Sequence, residues 1–127
     1  MIRGIGIDIV HVDRIRHWSS VPGLIERFFH PDEIAAASSR GASRDLSLAA
    51  RFAAKEAFGK ACGTGLRNMK LRDIYVKNER NGRPVIILED TAKRRFSELG
   101  GGLLHCSLTH EGDNAVAIVS IEDEKIS

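Results

Sequence analysis

The segment from Ile2 to Val10 alternates with a period of two: Ile5, Ile7 and Ile9 fall on one face, while Gly4, Gly6 and Asp8 fall on the other. Alternation of this kind defines a half-buried strand, because successive side chains of an extended chain point to opposite sides. It also isolates one carboxylate. Asp8 has glycines for neighbours on its own face, and the missing side chains leave room for a group as large as a nucleotide phosphate to approach the backbone.

Residues 45–62 read as the longest helix. Leu46, Ala50, Ala53, Ala57 and Ala61 recur every three or four residues and make a narrow face of small side chains suited to close packing. Gly63-Thr64-Gly65 supplies the glycine that ends a helix. Shorter helices are predicted from Asp13 to about Ser19, from Pro22 to Phe29 and from Pro31 to Ser39, the last followed by a polar loop to Ser43. Two strands, about Asp73 to Asn78 and Pro84 to Leu88, flank Asn81-Gly82, a hairpin signal whose two turn positions call for positive φ. A helix from Thr91 to Leu99 is stopped by three glycines. Strands at Leu103 to Thr109 and Ala115 to Ile121 then enclose the loop His110 to Asn114, and a polar, frayed tail begins at Glu122. The order lacks regular βαβ alternation, so the expected fold is α+β, with an antiparallel sheet and a long small-residue helix.

The length of 127 residues fits one domain, and 43% hydrophobic with 28% charged residues excludes a disordered chain. A formal charge of +2 is too mild for non-specific nucleic-acid binding. No apolar run approaches the roughly 18 residues of a membrane span, and the first segment is broken by glycines and Asp8, unlike a signal peptide, so a cytoplasmic protein is expected. Cys62 and Cys106 lack C-x-x-C spacing and read as small buried hydrophobes. Five Phe, one Trp and one Tyr leave the core short of bulky anchors, which leaves apolar surface for a partner subunit.

Glu56, in Arg51-Phe52-Ala53-Ala54-Lys55-Glu56-Ala57, would by itself be an ordinary solvated helix acid paired with Lys60 one turn on. Its surroundings argue for more. Phe52, Glu56 and Lys60 share a stripe beside the alanine face, and Arg51 and Lys55 form an adjacent basic stripe. An acid, three cations and a glycine-rich helix terminus together suit phosphates plus a metal.

Five motifs in series carry a resemblance: Gly4-Ile5-Gly6-Ile7-Asp8-Ile9-Val10, Arg51 to Ala61, Gly63-Thr64-Gly65, Asn81-Gly82-Arg83-Pro84 and His105-Cys106-Ser107-Leu108-Thr109-His110. In this order and spacing, over nearly the whole chain, the sequence resembles the holo-(acyl-carrier-protein) synthases, the group I phosphopantetheinyl transferases. The resemblance implies that the 4'-phosphopantetheine arm of coenzyme A moves to a serine hydroxyl of apo-acyl carrier protein in fatty acid biosynthesis, releasing adenosine 3',5'-bisphosphate. It implies Asp8 and Glu56 as ligands of Mg²⁺, an ion satisfied by one or two carboxylates plus phosphates and water. Lys60 is then a point charge for the same phosphates, and either Glu56 or a water carried by the metal removes the serine proton.

The same resemblance implies coenzyme A contacts at Arg44, Arg51, Lys60, Gly63, Gly65, His105 and His110, with Arg40 beside Arg44 in the basic segment that meets the 3'-phosphate. It implies a homotrimer with active sites between subunits. Ser107-Leu108-Thr109-His110 is similar to the Ser-His element of the two-lobed, surfactin-type relatives, so His110 is expected to reach coenzyme A from a neighbouring subunit. His105 and His110, five residues apart, project to opposite faces of a strand and do not share a metal. The acidic carrier protein is expected at Arg14, with Arg16 and Arg27 extending the patch. His11 departs from the glutamate common after this strand, and His30-Pro31 from a common hydroxyl cap, for which proline at the first helical position is a physical substitute. The competing reading is a non-catalytic basic module that uses Arg14, Arg51 and Lys55 to bind acidic protein or nucleic acid.

Overall fold

The computed structural model describes residues 1–124. Strand β1 (Ile2–His11) leads into helices α1 (Val12–Ser19), α2 (Leu24–Phe28) and α3 (Pro31–Ser38), then the long helix α4 (Arg44–Cys62). A hairpin of β2 (Ile74–Asn78) and β3 (Pro84–Leu88) follows, then α5 (Asp90–Glu98) and a second hairpin of β4 (Leu103–Glu111) and β5 (Asn114–Glu122). The chain is α+β, with an antiparallel three-stranded sheet in the order β1-β5-β4 and the separate β2-β3 ribbon. Among the described residues no helix is long and apolar enough to cross a membrane.

The sheet packs on α4 through the bare face of β1. A side chain at Gly4 would stand 2.0 Å from the Ala61 carbonyl oxygen, and one at Gly6 would stand 1.9 Å from that of Ala57. The space beside these glycines is therefore filled by helix backbone and is closed to a phosphate, contrary to the expectation from sequence. Ala115, Ala117, Val119 and Ile121 of β5 line the same buried side with Ala53, Ala54, Ala57 and Phe58 of α4. The isoleucines face outward: Ile5, Ile7 and Ile9 are each nearly 60% exposed (59%, 58% and 58%), and Ile118 lies opposite Ile7 on the same side.

Two local devices differ from the sequence reading. His11 and His30 both act as N-caps, their Nδ1 atoms accepting from the backbone N–H of Asp13 (3.1 Å) and Asp32 (3.0 Å). An imidazole nitrogen here does the work of the hydroxyl or carboxylate oxygen usual at this position. The β2-β3 turn spans five residues, with Gly82 (φ 88°) donating to the Glu79 carbonyl, and Asn81 does not adopt positive φ. This is a type I turn closed by a left-handed glycine.

Glu122 and Asp123 are also more ordered than a frayed tail from Glu122. Glu122 belongs to β5, the Asp123 N–H donates to the Met1 carbonyl, and its carboxylate pairs with Arg3 at 2.8 Å. Residues 125–127 lie outside the described residues.

A buried polar knot ties the remaining elements to α4. Lys55, with no exposed surface, donates to Glu33 Oε1 (2.6 Å), the Leu71 carbonyl (3.0 Å) and the Ile74 carbonyl, so all three ammonium protons are engaged. Glu33 Oε2 accepts from the Val76 N–H at 3.0 Å, and Oε1 also accepts from the His30 N–H at 3.1 Å. Arg51, also buried, donates to the Val76 carbonyl (2.6 Å), Asn78 Oδ1 (3.0 Å) and Ser47 Oγ (3.3 Å).

The strand–helix contact yields a direct test. Gly6→Ala places a methyl group inside the Ala57 carbonyl and should cost about 1–3 kcal/mol or more, read as a fall in the denaturant midpoint at unchanged slope. An unchanged midpoint would show that β1 and α4 do not meet backbone to backbone.

Candidate active site

Beyond Gly4 and Gly6, the next residue on the inner face of β1 is Asp8, whose side chain is 17% exposed. Lys60, from the last turn of α4, donates to Asp8 Oδ1 at 3.0 Å and to the Ile7 carbonyl at 2.9 Å. Glu56 stands one turn earlier on the same stripe. Desolvation, then the Asp8 charge, push its carboxyl above the ordinary value, while Arg14 and Lys60 pull it down. Glu56 thus lies within electrostatic reach of Asp8 on β1, Arg14 on α1 and Lys60 on α4.

The Arg14 guanidinium lies over the rings of Phe52 (5.3 Å) and Trp18 (5.4 Å), and these two rings meet edge to face at 4.7 Å. This aromatic platform holds Arg14 near Glu56. Trp18 was not legible as part of the site, although its i,i+4 spacing from Arg14 was a usable signal.

Other candidate residues lie elsewhere. The basic stripe of Arg51 and Lys55 is not a surface, since both cations are buried, Lys55 against Glu33. That removes two of the three cations needed by a basic binding module. The Arg51 guanidinium still borders a cleft of about 390 Å³ with Arg40, Lys77 and Asn78. Arg44 opens α4 and donates to Ser19 Oγ (3.2 Å) and Asp45 Oδ1 (3.0 Å), and Arg16 pairs with Asp13 (2.9 Å) and Asp45 (3.8 Å). Gly63 and Gly65 follow Lys60 with φ of 79° and 66°, and open space stands where their side chains would be.

His110 borders a groove of about 280 Å³ with Arg40, Ser43 and Ser47. His105 pairs with Glu122 (2.9 Å) on the outward face of β4, two strands from β1 and on the opposite side from Asp8. The two histidines do project to opposite faces. Arg27 is exposed on α2. His11, committed to capping α1, supplies no acid near Asp8.

Among the described residues no group of three or more His, Cys, Asp or Glu side chains could enclose a metal. A pair of carboxylates whose charges repel each other does fit a dication that takes its other ligands from phosphates and water.

The model of the 4'-phosphopantetheinyl transferase superfamily matches residues 4–119. A holo-(acyl-carrier-protein) synthase of Treponema denticola is 50% identical over 122 residues, covering 96% of this chain and 99% of the relative. One from Treponema pallidum is 47% identical over 126 residues, covering 99% and 100%. The crystal structure of the Neisseria meningitidis holo-(acyl-carrier-protein) synthase superposes with a TM-score of 0.86 at 34% identity, covering 97% of this chain and all of that one. A complex of the Chronobacterium ammoniagenes protein with CoA gives 0.83 at 31% identity, covering 96% and 98%. The chain belongs to the 4'-phosphopantetheinyl transferase superfamily, in its holo-(acyl-carrier-protein) synthase branch.

The charge coupling can be measured without any substrate. Asp8→Asn removes a negative charge that raises the Glu56 pKa, so Glu56 should titrate at lower pH in the variant, as followed by carboxyl carbon NMR. An unmoved titration would separate the two carboxylates.

Proposed function

We propose that this chain transfers the 4'-phosphopantetheine arm of coenzyme A to the serine hydroxyl of an apo-acyl carrier protein, releasing adenosine 3',5'-bisphosphate, in the cytoplasm. The observation that carries the reading is the convergence of Asp8 on β1, held by Lys60 at 3.0 Å, and of Arg14 on α1 upon the Glu56 carboxyl, one turn before Lys60 on α4. The complex of a relative with CoA supports the donor, and the names of the relatives support the acceptor.

In this mechanism Asp8 and Glu56 hold Mg²⁺, which when bound supplies positive charge to the pyrophosphate and to the leaving phosphate. Lys60 keeps Asp8 in place and presents its ammonium to the same phosphates. The serine oxygen forms a bond to the phosphorus attached to pantetheine as the bond to adenosine 3',5'-bisphosphate breaks. Glu56, or a water beside it, accepts the serine proton. Arg14 orients the incoming carrier beside Glu56. Arg40, Arg44 and Arg51, at the start of α4 and beside β2, with His105, His110 and the open glycines after Lys60, are the proposed coenzyme A contacts; Arg16 and Arg27 extend the carrier patch.

The active unit is a homotrimer. Its support is the outward apolar face of the sheet, where Ile5, Ile7, Ile9, Leu103 and Ile118 lie exposed together in a manner unusual for a monomer. His105 lies on this same face, so a neighbouring copy would pack beside it.

Incubated with apo-carrier, coenzyme A and Mg²⁺, the protein should add one phosphopantetheine mass to the carrier. Asp8→Ala and Glu56→Ala should each fold yet lose transfer by about 10²-fold or more. Normal turnover in either variant sinks the assignment of the carboxylates. Ile7→Glu should sediment as a single chain where the parent sediments as three; an unchanged mass would place the assembly surface elsewhere.

A further inference from the structure

Ile2 lies opposite Glu122 and Gly4 opposite Ile121, so Arg3 is the extra residue of a bulge in β1. Bulges re-aim side chains, and this one carries Arg3 off the isoleucine face to a cavity of about 200 Å³, which it lines with Ala61, Cys62, Phe96, Leu99 and Ile121. The three glycines after α5 wrap the guanidinium. Arg3 donates to the Gly101 carbonyl and to Asp123 Oδ1 (2.8 Å), two acceptors for five N–H donors.

A second guanidinium lies close by. Arg95 precedes Phe96 on α5, and its Nε is shut off from solvent without a hydrogen-bond partner, the one such side-chain atom among the described residues. Its Nη1 stands 3.7 Å from Glu98 Oε1, beyond hydrogen-bond distance. Both arginines act on the thiol that lines the cavity: burial pushes Cys62 up to about 11, and Arg3 and Arg95 pull against that shift. A buried N–H left without an acceptor is costly, so the Arg95 Nε–H points to an acceptor that the chain itself does not supply.

The walls fix what kind of acceptor it is. The side chains of Ala61, Phe96, Leu99 and Ile121 offer no hydrogen bonds, so a bare phosphate or sulfate would be desolvated against hydrocarbon. An uncharged apolar molecule would leave the Arg95 N–H unpaired. A carboxylate on a short hydrocarbon tail meets both demands. The volume of about 200 Å³ lies below the roughly 300–1,000 Å³ of drug-sized pockets and limits the molecule to about ten heavy atoms or fewer.

We infer that this cavity is a binding site for a short-chain monocarboxylate, its carboxylate taken by Arg95 Nε and the spare N–H groups of Arg3 and its tail laid against Phe96, Leu99 and Ile121. The site shares no residue with Asp8, Glu56 and Lys60 and stands independently of the transfer reaction. Arg3 belongs to β1, Cys62 to α4 and Arg95 to α5, so an occupant ties three elements together at the end of the strand–helix contact where Gly4 meets Ala61.

The test titrates hexanoate into the full-length, isotope-labelled protein and follows the arginine Nε–H and methyl signals by NMR. Hexanoate should saturate with a dissociation constant of about 1 mM or lower, shift the Arg95 Nε–H together with the Leu99 and Ile121 methyls, and raise the melting midpoint as its concentration rises. Acetate, which lacks the tail, and hexanol, which lacks the charge, should each bind about tenfold more weakly or worse. Arg95→Met should weaken hexanoate about tenfold, and Arg95→Lys, which keeps the charge without the Nε–H, should fall between the two. Arg94→Met, at an exposed neighbour on α5, should change nothing. If Arg95→Met fails to fold, Arg95→Lys carries the comparison. Shifts that do not saturate by about 50 mM, an unmoved Arg95 Nε–H, equal binding of hexanol, or a loss with Arg94→Met equal to that of the Arg95 variants overturns the site.

Discussion

The contact of β1 with α4 is made by backbone, and the geometry of the site follows from it. Two residues of strand advance about 6.8 Å and four residues of helix about 6 Å, so a strand running back along a helix keeps nearly in step with its turns. Gly4 lies over Ala61 and Gly6 over Ala57, and the next step carries Asp8 to the stripe of Phe52, Glu56 and Lys60. Glycines at the first two positions are required for the approach. A carboxylate at the third then arrives beside another carboxylate, with Lys60 bridging to it. The spacing of the motif therefore describes a mechanical fit first and a chemical one second.

The opposite face of α4 is fixed by a different kind of force. Glu33, Lys55 and Arg51 bring α3, the turn before β2, and β2 itself onto the helix through hydrogen bonds whose donors are nearly all satisfied. Burial lowers the pKa of Lys55, while the Glu33 carboxylate opposes that shift. Buried ion pairs add little net stability against apolar replacements, but they are exacting about geometry. Here that geometry presents Glu56 and Lys60 to β1 while Lys55, one residue before Glu56, points the other way.

Much of this was legible in the chain. The five strands and five α-helices of the described residues follow from period-two and helical patterning, and their ends fall close to where glycine and proline place them. The departures have local causes. A helix cation reads as solvated because its buried counter-charge, Glu33, is 22 residues away and on another element. The isoleucine face of β1 reads as the natural inside of a strand, yet close backbone packing selects the glycine face, and the isoleucines are left for a surface a single chain does not cover. Asn81-Gly82 marks a turn without specifying its type, because loop length also enters. Asp8, Glu56 and Lys60 were legible as a set. The aromatic support of Arg14 was legible only in its i,i+4 partner Trp18, since Phe52 reaches the pair from α4 through the fold.

The enclosure of Glu33 with Lys55 also limits the paths by which such a sequence can drift. Loss of either partner strands a charge and several backbone groups in the interior, and exchange of both for apolar residues removes the charges but still takes the side-chain partners from the Leu71 and Ile74 carbonyls and the Val76 N–H. The two positions are separated along the gene but cross any neutral landscape only as a couple. A lineage that altered one of them first would pass through a chain too unstable to be retained, so the couple is preserved by the height of the intermediate barrier more than by any net advantage.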